Sequence, residues 1–129
     1  MGIDMITTKK KILIFDETSF SRICSAILEQ EGYGTNAVLD ERLLDSALSA
    51  GDCGLVITSY PYGESLIEKL KAAAIPSIIL SDHVNRDLLM TLDSLGKTRA
   101  HCMIKPIDYH KFKALVNKAM SGDEEKVHQ

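Results

Sequence analysis

Short apolar runs alternate along this chain with longer stretches whose apolar residues recur at helical spacing, and that rhythm leaves few folds open. Lys11-Ile12-Leu13-Ile14-Phe15 is a continuous apolar run ending in acids, too short for a helix, and reads as a buried strand. The spacing then predicts a helix capped by Thr18 or Ser19, with Phe20, Ile23, Cys24, Ile27 and Leu28 on one stripe and Gly32 as its stop. A weak strand from Tyr33 to Val38 follows. Asp40 can cap a second helix with Leu43, Leu44, Ala47 and Leu48 inward before Gly51.

The rhythm repeats. Gly54 to Thr58 reads as a strand and Tyr60-Pro61-Tyr62-Gly63 as a turn. A third helix is expected from Glu64 to Ala74, with Leu66, Ile67, Leu70 and Ala73 inward. Pro76 to Ser81 reads as a fourth strand, Asn85 to Leu95 as a fourth helix ended by Gly96, and Ala100 to Ile104 as a fifth strand. A last helix presents Tyr109, Phe112, Leu115, Val116 and Ala119 to the core. Residues 1–9 are expected to form a flexible N-terminal tail, 10–120 the domain, and 121–129 a polar, fraying C-terminal tail.

Five strand–helix units predict an α/β fold, a parallel sheet covered by helices on both faces, with ligands at the carboxyl ends of the strands. Composition agrees. In 129 residues, 45% are hydrophobic and 26% charged, enough apolar mass for one core and too much for a disordered chain. A net charge of -3 gives no basic face, so direct nucleic-acid binding is not expected. No apolar run approaches a membrane span, and the first residues lack a signal peptide's apolar stretch. Cys24, Cys53 and Cys102 cannot all pair, so reduced thiols and a cytoplasmic location are expected.

The expected strand ends carry Asp16 and Glu17, Thr58 and Ser59, Ser81 and Asp82, and Lys105. Such residues ordinarily cap or solvate a turn, but gathered on one edge they define a candidate site. A carboxylate pair suits a hard cation such as magnesium, while hydroxyl and ammonium groups suit an anionic oxygen. No Gly-rich phosphate loop follows the first strand, and the chain has no H-E-x-x-H, C-x-x-C or G-x-S-x-G. Ser59, His83 and Asp16 could be drawn as a triad, but a chain of this length supplies such a trio by chance. His101 beside Cys102 has no further ligand at metal spacing.

Four of these segments, in order, resemble the receiver domain of two-component response regulators across about Lys10 to Met120. They are Lys11 to Glu17 with its acidic pair, Gly63 to Lys71, Ile75 to Ser81 ending in a hydroxyl residue, and the pair Lys105-Pro106, whose peptide bond is typically cis in that family. The resemblance implies a (βα)5 doubly wound, flavodoxin-like sheet in strand order 2-1-3-4-5. It further implies that Asp16 and Glu17 hold magnesium, that Ser81 and Lys105 contact a phosphoryl group, and that an aspartate at the end of the third strand accepts that group.

The chain departs from that pattern at the acceptor, where Ser59 stands with no acid nearby. Serine is almost wholly protonated near neutral pH and needs an adjacent base. One charge is also lost from the metal site, so the expectation is no cofactor or weakly bound magnesium. The loop from Ser59 to Gly63 is short, Asp82 stands where a small residue usually follows the hydroxyl, and Cys102 takes the aromatic switch position. Asp82 could restore charge to the metal site or pair with Lys105.

The expected function is therefore a non-enzymatic pseudo-receiver that works through a protein partner: a kinase, an output domain or a regulator. Leu89 and Met90 on the fourth helix are candidates for the contact surface, and a homodimer fits the same region. Phosphotransfer through Ser59 or an Asp82-supported metal site is the alternative. A small hydrolase, with no nucleophile–base pair to support it, is weaker.

Overall fold

A computed structural model describes residues 10–96 and 99–121. Five parallel strands are interleaved with helices: β1 (Lys11–Phe15), α1 (Thr18–Gln30), β2 (Gly34–Ala37), a 3-10 turn (Glu41–Leu43) running into α2 (Leu44–Ser49), β3 (Cys53–Ser59), α3 (Glu64–Leu70), β4 (Ser77–Ser81), α4 (Arg86–Leu95), β5 (Ala100–Ile104) and α5 (Tyr109–Ser121). The sheet order is β2-β1-β3-β4-β5, as expected for a flavodoxin-like fold.

Alternation along each strand sorts the core into two layers. Ile12, Ile14, Leu55, Ile57, Ile78 and Leu80 face α1 and α5, where they meet Cys24, Leu28, Phe112 and Val116. Leu13, Phe15 and Val56 face the other way onto Leu44, Leu66 and Leu70 of α2 and α3. Ile79 continues that second layer under α4, against Ile67 and Leu88. Every strand reaches the carboxyl edge between helices, which positions the site described below.

The structure corrects the sequence reading in several places. α1 starts at Thr18, so Glu17 holds the N-cap position and makes no side-chain cap bond. Ile23 is 51% exposed, while Ser21 is buried and donates its hydroxyl to the Asp16 carbonyl at 3.1 Å. A serine takes the inward place because its hydroxyl meets a carbonyl otherwise left bare at the strand end. Leu43 is exposed because Asp40 caps the tighter 3-10 turn, accepting the Arg42 amide at 2.9 Å, before α2 begins.

α3 ends at Leu70 rather than Ala74, closing through i→i+3 contacts such as Ala73 N–H to the Leu70 carbonyl at 3.3 Å. Pro76 disfavours helical backbone at Ile75, and Ala74 adopts a positive φ of 25°. Asn85 caps α4, accepting the Leu88 amide at 2.8 Å, so the helix starts at Arg86. Tyr109 is 40% exposed and meets the buried Phe112 edge-on, so it does not enter the core. Ser121, placed in the tail by its polarity, is the last residue of α5. The tails expected over 1–9 and 122–129 lie outside the described residues.

Candidate functional site

The carboxyl edge gathers Asp16 after β1, Ser59 at the end of β3, Ser81 at the end of β4 and Lys105 after β5. Register fixes their proximity: Ser59 lies opposite Leu80, Ser81 opposite Ile104, and the Lys105 amide donates to the Ser81 carbonyl at 2.8 Å. Asp16 is 2% exposed and Ser59 4% exposed, both unusually buried for polar residues at a strand end.

Burial requires that these groups be satisfied, and each is. Asp16 accepts the Glu17 amide through Oδ1 at 2.8 Å and the Ser59 hydroxyl through Oδ2. The Ser81 hydroxyl donates to the His83 carbonyl at 2.8 Å. The Lys105 ammonium lies over the Phe20 ring, 5.5 Å from its centroid. Neighbouring Thr58 donates its hydroxyl to the Phe15 carbonyl at 2.6 Å, tying β3 to β1 on the other face.

The short loop follows from this packing. The Gly63 amide donates to the Ser59 carbonyl at 2.7 Å, closing a five-residue turn. A Cβ on Gly63 would lie inside van der Waals contact with Thr58 Oγ1, so only glycine permits the turn so close to the strand. Tyr62 stacks obliquely on Phe15 with ring centroids 5.3 Å apart. Both Tyr60–Pro61 and Lys105–Pro106 are cis, the second as the resemblance implied and the first not anticipated.

Glu17 and Asp82 are both exposed, and among the described residues Asp82 forms no ion pair with Lys105. The same residues contain no group of three or more His, Cys, Asp or Glu able to hold a metal. Among the described residues Asp16 is the one buried acid of the edge, and its charge reaches α1. Burial, reinforced by that charge, pushes the Cys24 thiol up to about 12. Burial also raises the Cys102 thiol, which packs beneath α4 with Leu92 and Leu95. Leu89 and Met90 of α4 are 52% and 63% exposed.

The drawn triad does not form. The Ser59 hydroxyl goes directly to the Asp16 carboxylate, with no imidazole between them. Phe20 and Thr58 were the partners that sequence alone did not assign. Phe20 lies four residues past Asp16, but nothing in its spacing points to Lys105. A cleft of about 530 Å³ opens at the opposite edge among Lys10, Tyr33, Asn117 and Met120, away from these groups.

The sequence matches no family profile and none of the curated proteins. Solved structures supply the comparison. A CheY-like receiver domain protein from Methanospirillum hungatei superposes with a TM-score of 0.77 at 17% identity, over 92% of this chain and 99% of that one. A two-component response regulator from Clostridium difficile gives 0.73 at 19%, over 87% and 95%. A response regulator receiver protein from Burkholderia phymatum gives 0.72 at 21%, over 88% and 96%. The chain has the fold of response-regulator receiver domains.

Proposed function

We propose that this chain is a receiver-like signalling module that acts by protein contact without aspartyl phosphorylation. The observation that carries the reading is the Ser59 hydroxyl donating to Asp16, at the position where the resembling family places its acceptor carboxylate. An alcohol whose proton is held by a buried carboxylate is not an acyl-phosphate acceptor. Asp16 has an alternative use as a base, but among the described residues it is the one hydrogen-bond partner of the Ser59 hydroxyl, and a nucleophile needs its base oriented by a third group.

Magnesium is held weakly or not at all. It demands near-octahedral oxygen coordination, and both Asp16 oxygens already accept hydrogen bonds. The Ser59 carbonyl is engaged by Gly63. The module works by contact rather than turnover, in the cytoplasm, with a kinase, output domain or regulator as partner and with a homodimer as one form of that contact. Among the described residues no helix is long and apolar enough to cross a membrane.

The test is incubation with acetyl phosphate and magnesium followed by intact-mass spectrometry. The expected spectrum shows no added phosphoryl mass. An added phosphoryl group on the wild-type chain overturns the reading and favours a non-standard acceptor or an Asp82-supported metal site. The same assay on Ser59→Asp reports on the remainder of the edge. Labelling of that variant alone places the defect at Ser59.

A further inference from the structure

We propose that the groove between the end of β2 and α2 docks an amphipathic helix of a partner protein, one that carries lysine or arginine beside leucine-like side chains. This rests on the reading of the chain as an interaction module and names the chemistry of what it contacts. The groove, about 470 Å³, has Ala37, Val38, Leu39, Asp40, Leu43 and Ala47 in its lining. Val38 and Leu44 fill the core beneath it, 5% and 0% exposed. Their chain neighbours Leu39 and Leu43 are left outside, 53% and 54% exposed. A single exposed leucine is ordinary, but two lining one concavity form an apolar patch suited to a partner.

The charges around the groove select its occupant. Residues 36–47 carry three acids, Asp40, Glu41 and Asp45, against one base, Arg42. Arg42 is committed to Asp40, which its Nη2 and Nε reach at 2.8 and 3.1 Å, and Lys69 of α3 reaches Asp45 at 2.8 Å. Glu41 forms no ion pair among the described residues. A cation flanked by hydrocarbon is complementary to such a patch, and an acidic segment is repelled by it. The shape points to a helix. One wall is residues 36–39, and the other is the 3-10 turn running into α2. Leu43 and Ala47 stand four residues apart along that second wall, a spacing that receives the i, i+4 ridge of another helix.

The test is a ¹H–¹⁵N NMR titration of the full chain with the amphipathic peptide acetyl-Lys-Ala-Leu-Lys-Lys-Leu-Leu-Ala-Lys-Leu-amide and a counterpart in which every Lys is Glu. The expected result is shifts at Ala37, Leu39, Leu43 and Ala47, with the Lys peptide binding roughly two- to five-fold tighter, as one exposed ion pair confers. That preference narrows at high salt and in Glu41→Gln. Leu39→Ser combined with Leu43→Ser, both exposed and so tolerated by the fold, removes the shifts. Equal affinity for the two peptides, shifts confined to α4 around Leu89 and Met90, or no shifts at all overturns the proposal. Shifts at the groove that grow with protein concentration in the absence of peptide assign it to a second copy of the chain and overturn it too. Phosphorylation of the wild-type chain would instead overturn the preceding reading and leave the peptide preference unchanged, so the two failures are distinguishable.

Discussion

Two residue pairs at the carboxyl edge decide how this chain differs from the fold it adopts. The hydrogen bond from Ser59 to Asp16 joins β3 to β1 through a charged acceptor in a buried setting. Ser59→Ala is expected to cost about 1.5–3 kcal/mol in denaturant unfolding, the range for hydrogen bonds to charged groups. Asp16→Asn combined with Ser59→Ala should cost clearly less than the sum of the single changes, and strict additivity would argue against the bond. The second pair is Gly63 with Thr58. Gly63→Ala is expected to lose about 1–3 kcal/mol by overpacking, and part of that loss should return when Thr58→Ala removes the opposing hydroxyl. The positions of Asp16, Ser59, Ser81 and Lys105 were legible in the sequence because strand ends can be read from apolar runs. Their partners were not. Whether a hydroxyl donates to a carboxylate or a carbonyl depends on rotamers set by packing from elsewhere, as Ser81 and His83 illustrate.

At the level of elements, periodicity located every strand and helix but did not say which of two adjacent positions turns inward. On α1 the stripe through Phe20, Cys24 and Leu28 is correct, yet Ile23 faces out and Ser21 faces in. A hydropathy pattern ranks isoleucine above serine. It contains no term for the Asp16 carbonyl that Ser21 satisfies. Ile23→Glu should therefore change stability by no more than about 0.5 kcal/mol, as an exposed substitution does, when measured by chemical unfolding. Boundaries were legible where a cap or a positive-φ glycine marks them, as with Asn85 and with Gly96 at φ 97° around α4. Asn85→Ala is expected to cost about 1 kcal/mol and to fray the first turn of α4, visible as faster amide exchange at Leu88. α3 ended early because Pro76 and the backbone turn at Ala74 outweigh three helix-favouring alanines.

For the molecule as a whole, the parallel sheet and both core layers followed from five alternating units, the strand order from the family resemblance, and the largest surprise concerns charge. The edge holds one buried carboxylate, and Cys24 lies within its influence. The thiol pKa rises from 9.0 in the unfolded reference to about 12 in the fold. Its stability contribution is fully present below pH 9 and is lost as pH rises toward 12, since the unfolded chain releases a proton that the folded chain retains. The slope from this group is at most about 1.4 kcal/mol per pH unit, and Cys24→Ala should flatten the alkaline limb of a stability–pH profile. At pH 8 the same thiol should resist iodoacetamide until the chain is unfolded. A further consequence lies at the flank of the sheet. β2 forms one border and is only four residues long, Gly34–Ala37. A border that brief offers a stray β-ribbon few unpaired amides to zip against, so the chain's defence against fibril seeding is brevity rather than a guarding charge.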